Sequence, residues 1–169
     1  MACIFHIIGK KDTGKTSVIE SVLREIKKDN LKVAVVKHSH HKLDLAGKDT
    51  YRYRNSGSDL ILFQEGEEES VLFMPSVSSL TLITLLPVDV ILVEGFSNVD
   101  IGKKYIINNV NEVEAISKQV INDIKKECQK TNRALILDNV KVEVTSDNAL
   151  LLTLYNLMKV LGVKNVSSD

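Results

Sequence analysis

The chain has 169 residues, 44 % of them apolar, which suits one ordinary domain spanning 1–169 with a core that buries well over half its unfolded surface. Twenty-two basic and twenty-two acidic residues cancel, which excludes the charge excess of a general nucleic-acid or polyanionic-surface binder and confines any basic site to a local patch. The first apolar run stops at Gly9, too early for a signal peptide, and the stretch from 80 to 93 is broken by Pro87 and Asp89, too short to cross a bilayer; Cys3 and Cys128 form neither a metal pattern nor a disulfide framework, so a soluble protein of the reducing cytoplasm is expected.

Cys3 to Ile8 reads as a buried strand. It runs into Gly9-Lys10-Lys11-Asp12-Thr13-Gly14-Lys15-Thr16, a complete G-x-x-x-x-G-K-[ST] phosphate-binding loop, and Val18, Ile19, Val22, Leu23 and Ile26 then line one face of a helix. In such a loop the glycines let successive N–H groups turn inward toward phosphate oxygens at the positive end of the helix. Lys15 supplies charge to the β- and γ-phosphates and Thr16 a hydroxyl to Mg²⁺, with Gly9, Lys11, Asp12, Thr13, Gly14 and Ser17 completing the expected nucleotide contacts.

After a turn at Asp29-Asn30, residues 31–36 form a second strand ending at Lys37, and a polar segment follows from His38 to Gly57. Leu60 to Phe63 and Val71 to Met74 flank an acidic run and predict a β-hairpin. A short helix is expected over 80–86, a strand buried on both faces over 88–93, a strand over 104–107 and a helix over 113–128 with the stripe Ile116, Val120, Ile121 and Ile124. Strands over 134–137 and 140–144 and a final helix over 148–161, capped by Ser146 or Asp147, complete the chain. This alternation predicts an α/β fold: a mainly parallel sheet with helices on both faces and an antiparallel hairpin extension.

Ligands of such a sheet gather at the carboxyl ends of its strands. Glu94, directly after a fully apolar run, is placed to hold Mg²⁺ through water or to orient an attacking water, which makes it and Lys15 the candidate catalytic residues and Thr16 and Glu94 the candidate metal ligands. Asp89 opens the same strand at the opposite edge and reads as structural. His38, His40 and His41 leave three readings open: a metal site, though their spacing matches no common zinc pattern; a loop that bonds phosphate or closes over nucleotide; and surface histidines of no consequence. The basic, aromatic segment from Gly47 to Arg54, with Lys48 and Asp49, suits either a second anionic ligand or ion pairs on a solvated face, and Lys103 and Lys104 divide the same way.

The phosphate loop, Lys37-His38-Ser39-His40-His41, Gly47-Lys48-Asp49-Thr50-Tyr51-Arg52 and Ile91-Leu92-Val93-Glu94-Gly95-Phe96, in this order and spacing, resemble the molybdopterin-guanine dinucleotide biosynthesis protein B (MobB) family, closely over residues 1 to 105. The resemblance implies a P-loop GTPase-like, homodimeric accessory protein of molybdenum-cofactor maturation that binds GTP with Mg²⁺, hydrolyses it weakly and associates with the nucleotidyltransferase joining GMP to molybdopterin. It also implies ligand-facing roles for His38, His40, His41, Lys48 and Asp49. Two departures stand out. Ser97 occupies the place of a lysine that usually follows V-E-G-F, leaving Lys103 or Lys104 as substitutes, and no N-K-x-D motif exists to read guanine. Asp138, after a strand, is the candidate for pairing with the guanine N1 and N2 donors. Alternative functions are an ATP-dependent small-molecule kinase with the acceptor held by Lys48 to Arg54, a metal-delivery GTPase using the histidines, and an adapter that uses nucleotide only to set its shape.

Overall fold

The computed structural model describes residues 2–39, 47–74, 82–83, 85–128, 133–145 and 147–163. Strands β1 (Cys3–Ile8), β2 (Val33–Lys37), β5 (Val90–Glu94) and β6 (Lys103–Ile106) form one sheet in the order β2-β5-β1-β6, every pairing parallel. The register sets Ile7 opposite Glu94 and Glu94 opposite Lys37, so the carboxyl ends of three adjacent strands finish on one row. All five residues of β5 are buried, as its uninterrupted apolar run predicts for a strand covered on both faces.

Helix α1 (Lys15–Ile26) and helix α3 (Val113–Glu127) pack beside each other on one face of this sheet. Phe5 and Ile7 of β1, Val90 and Leu92 of β5 and Tyr105 of β6 meet Val18, Ile19, Val22 and Ile26 of α1 and Val120 and Ile124 of α3 in the principal core. The side-chain periods of 2 along the strands and 3.6 along the helices therefore converge on a single apolar layer. Cys3 and Cys128, expected to stand apart, lie in the same layer and are joined as a disulfide, their Cα atoms 6.0 Å apart. Sequence spacing gives no warning of this pairing, because parallel β1 and the end of α3 are brought together only by the tertiary fold.

Beside that core, the Tyr105 hydroxyl donates to Asp123 at 2.6 Å, and Lys103 bridges Asp123 at 3.0 Å and Glu127 at 2.6 Å. The Tyr105 bond and then the Lys103 ammonium hold the Asp123 carboxyl below the ordinary aspartate range, while burial, followed by the Asp123 bond, pushes the Tyr105 phenol up. A folded-state carboxyl with a depressed pKa adds stability above its unfolded pKa, about 4, and that stability is lost as pH falls through the folded value. Asp123→Asn is accordingly expected to lower the urea midpoint at pH 7 and to lower it much less at pH 3, as read by paired denaturation curves.

The carboxyl-terminal strands β7 (Ala134–Leu137) and β8 (Val140–Glu143) do not extend the parallel sheet; they form a separate antiparallel pair, joined by Asp138 and Asn139 with φ of +46° and +65°. Two left-handed residues are what a tight two-residue hairpin requires, and Asp and Asn tolerate that region better than most. Helix α4 (Ala149–Leu161) follows, capped by Asn148, whose side chain accepts from the Leu151 N–H at 3.0 Å, rather than by Asp147; Ser146 lies outside the described residues. Leu135, Val144, Leu152 and Met158 make a second small core. Arg133, just before β7, reaches the fully buried Asp89 at 2.8 Å, and Asp89 also accepts the Lys32 N–H at 2.9 Å, which confirms a structural role for this acid.

Residues 39–82 form a compact unit of their own, and 1–38 with 83–169 form the other. The smaller unit holds helix α2 (Asp49–Asn55) and the predicted hairpin, β3 (Ile61–Glu65) against β4 (Glu69–Phe73). Within the span 80–86 only Leu82, Ile83, Leu85 and Leu86 are described, and Leu82 and Ile83 are helical. Among the described residues no helix is long and apolar enough to cross a membrane.

Candidate functional site

The segment between β1 and α1 has the backbone that its glycines anticipate. A Cβ on Gly9 would collide with the Ile107 carbonyl, and Gly14, at φ +97°, stands directly before α1 with Val113 Cγ2 2.6 Å from where its Cβ would be. Any larger residue at either position would open the loop. Asp12 at φ +61° adds a further left-handed turn, and the Thr13 hydroxyl ties the loop internally by donating to the Lys10 carbonyl at 2.9 Å. Helix α1 has no side-chain cap and no acidic residue in its first turn. Its leading N–H groups and its dipole therefore present uncompensated positive character to the loop, the requirement for holding an anion. Lys15 is half-buried, and its ammonium donates to the Lys10 carbonyl, within easy exchange for a charged acceptor.

Glu94 ends β5 and is 7 % exposed, yet its carboxylate is fully engaged. The Thr16 hydroxyl lies 3.2 Å from each carboxylate oxygen, and the Lys37 ammonium lies 3.1 Å from Oε1. The first turn of α1 and the ends of β5 and β2 thus bring a hydroxyl, a carboxylate and an ammonium together beside the phosphate loop. A hydroxyl and a carboxylate are hard oxygen donors of the kind Mg²⁺ takes, directly or through water. These residues fit the cation that the phosphate loop implies.

Beyond Glu94 the chain turns through Gly95 at φ +89° and Phe96 at φ +50°. The His38 N–H donates to the Glu94 carbonyl at 2.9 Å, its ring lies 4.8 Å from that of Phe96, and its Cβ is 3.1 Å from where a Gly95 Cβ would stand. His38 is therefore joined to the Glu94 turn; His40 and His41 lie outside the described residues. No group of three or more His, Cys, Asp or Glu suited to a metal occurs among the described residues.

Other sequence candidates lie elsewhere. Lys48 immediately precedes α2 and Asp49 begins it, paired with Arg52 at 3.4 Å on an exposed face of the smaller unit. Asp138 sits in the β7–β8 hairpin turn and not at a carboxyl end of the parallel sheet, so the strand-end argument that selected it does not apply. Lys103 begins β6 and faces Asp123 and Glu127, while Lys104 pairs with Asp100 at 3.1 Å, as the ion-pair reading of these two lysines expects. Ser97 itself shares a cleft with Gly9, Lys10 and Asn108 at the edge of the phosphate loop. Three participants escaped sequence reasoning: Lys37 as the Glu94 partner, Phe96 against His38, and the buried His6, whose ring donates to the Gly95 carbonyl. Only Lys37 had a signal, its position at a strand end.

The model of the family described as molybdopterin guanine dinucleotide synthesis protein B matches residues 4–126. The chain is 33 % identical over 109 residues to a molybdopterin-guanine dinucleotide biosynthesis adapter protein of Haemophilus influenzae, across 59 % of this chain and 60 % of that protein. It is 27 % identical to a probable adapter protein of the same name from Bacillus subtilis, across 72 % and 73 % of the two chains. It spans 60 % and 40 % of the Haemophilus relative and of a putative adapter protein from Methanocaldococcus jannaschii. The crystal structure of Bacillus subtilis MobB superposes with a TM-score of 0.51 at 27 % identity, covering 67 % of this chain and 72 % of that one. With the P-loop fold in place and most of its length matched, the chain belongs to the molybdopterin guanine dinucleotide synthesis protein B family.

Proposed function

We propose that this protein binds GTP with Mg²⁺ at the loop from Gly9 to Ser17 and acts as an adapter in molybdopterin guanine dinucleotide biosynthesis. In this reading it is a cytoplasmic homodimer that hydrolyses GTP weakly and works with the nucleotidyltransferase joining GMP to molybdopterin. The observation that carries the nucleotide reading is the Thr16 hydroxyl at 3.2 Å from both oxygens of the buried Glu94 carboxylate, on the rim of an uncapped helix terminus. The adapter role rests on the similar proteins that bear that name.

Each residue then has a definite task. The N–H groups at the start of α1 and the Lys15 ammonium bind the β- and γ-phosphates, Lys15 exchanging a neutral carbonyl for a charged acceptor. Thr16 and Glu94 hold Mg²⁺, Glu94 through water; the ion, when bound, neutralises charge on the phosphate oxygens. Lys37 pairs with the Glu94 carboxylate in the buried strand end and holds it in place, which suits an acid that orients water. Hydrolysis by such a site is slow, consistent with a protein whose product is an assembled complex.

Calorimetric titration with GTP and with ATP, each with Mg²⁺ and with EDTA, tests the reading. A preference for GTP that strengthens with Mg²⁺ supports it; equal or preferential ATP binding favours the kinase. In Glu94→Gln the gain in affinity conferred by Mg²⁺ is expected to fall roughly tenfold while binding in EDTA is retained, since one charge-assisted contact is lost.

A further inference from the structure

His6 lies in the middle of β1, fully buried, on the strand face opposite Phe5 and Ile7 and so away from the α1 and α3 layer. Its Nε2–H donates to the Gly95 carbonyl at 2.5 Å. The carbonyl can only accept, so Nε2 carries the proton of that bond, and Nδ1 is buried with no hydrogen-bond partner among the described residues. A leucine or phenylalanine would fill this space in a strand of isoleucines without burying an unpaired acceptor. The imidazole is therefore a poor choice for packing alone, and its bond to the Gly95 carbonyl accounts for it.

That contact falls on a demanding piece of backbone. The Gly95–Phe96 peptide lies between residues at φ +89° and +50°, and a phenylalanine holds a left-handed conformation only where its surroundings over-determine it. The strand pairing fades here: His38 N–H reaches the Glu94 carbonyl at 2.9 Å, and Gly95 N–H reaches the Ile7 carbonyl only at 3.4 Å. Beyond the strand end the Val99 N–H holds the Phe96 carbonyl at 2.9 Å, and His6 grips the preceding peptide through the Gly95 carbonyl.

We propose that His6 is a positioning residue that, from inside the sheet, locks the Glu94-Gly95-Phe96 turn so that the Glu94 carboxylate faces Thr16 and the Phe96 ring faces His38. The role rests on the reading of Glu94 as the acid of the nucleotide site. It makes β1 do two things at once, delivering the phosphate loop from its end and orienting the neighbouring acid from its middle.

The test uses the full chain with His6→Phe, which fills the space without a donor, and His6→Gln, whose Nε2 amide reaches where the imidazole Nε2 does. Without nucleotide, amide exchange over residues 94–98 is expected to quicken roughly tenfold in His6→Phe, with α1 unchanged, and to stay within about twofold of wild type in His6→Gln. With GTP, the affinity gain conferred by Mg²⁺ is expected to fall about fivefold in His6→Phe, with binding in EDTA unchanged, and to return in His6→Gln. Wild-type exchange at the turn in His6→Phe, or no rescue by His6→Gln, would overturn the positioning role. If wild type itself binds no nucleotide while exchange follows the expected pattern, the clamp on the turn is upheld and the proposed function fails. Should His6→Phe not fold, His6→Asn, small enough to fit and too short to reach Gly95, carries the same expectations.

Discussion

Lys15→Ala is expected to weaken GTP binding about a hundredfold or more, in Mg²⁺ and in EDTA alike, because each charge-assisted contact to phosphate contributes roughly 1.5–3 kcal/mol and the proposed role gives the ammonium both the β- and the γ-phosphate. The same substitution should barely change stability. In the folded chain Lys15 is half-buried and bonds a loop carbonyl, and the loop retains its Thr13 tether and the close packing of Gly9 and Gly14 without it. Titration calorimetry and a thermal melt on the same preparation read the two effects separately. Unchanged affinity would remove Lys15 from the site; a large loss of stability would show that the lysine supports the loop and not the ligand. The contrast with Glu94→Gln is diagnostic, since that variant should lose only the part of the affinity that Mg²⁺ confers.

The second large effect concerns stability and lies away from the phosphate loop. Arg133→Met is expected to destabilise the fold by about 3–5 kcal/mol, the usual consequence of removing one member of a buried ion pair. Asp89 is 1 % exposed and its side chain 0 %, Arg133 lies 2.8 Å from it, and the guanidinium is itself only 12 % exposed. The variant leaves the carboxylate buried beside the Lys32 N–H without the Arg133 guanidinium. Against the 5–15 kcal/mol typical of a whole domain, that loss is readily seen in a urea denaturation curve. Asp89→Asn combined with Arg133→Met should recover much of it by removing the stranded charge, whereas equal loss in the single and double variants would show that Arg133 acts through its packing.

The part of the fold legible in sequence is the part whose signals are local. The phosphate loop declares itself by spacing, its flanking strand and helix by apolar period, and β5 by an unbroken apolar run; Glu94 follows from being the first polar residue after that run. Where several residues could serve equally, the choice is made by backbone geometry that sequence does not carry. Ser146, Asp147 and Asn148 are three consecutive capping residues, and Asn148 is the one whose side chain meets the Leu151 N–H. The strand end before Asp138 is not an end of the main sheet, and a two-residue Asp-Asn link between apolar runs is itself a hairpin signal. The remainder is long-range. Arg133 with Asp89, Lys103 with Asp123, and His6 with Gly95 join segments far apart in the chain, and nothing in the neighbourhood of either partner announces the other.

The cystine between Cys3 and Cys128 turns most of the polypeptide into a covalent ring. That ring contains the phosphate loop, the whole of the 39–82 unit and the whole of the family-matched span, while the β7–β8 hairpin and α4 hang from it as a tail. Topology then decides what a single protease cut can release. A nick anywhere inside the ring opens it without liberating a fragment, so the two pieces migrate together in denaturing gels until a reductant parts them, whereas a cut beyond Cys128 sheds the tail at once, with or without reductant.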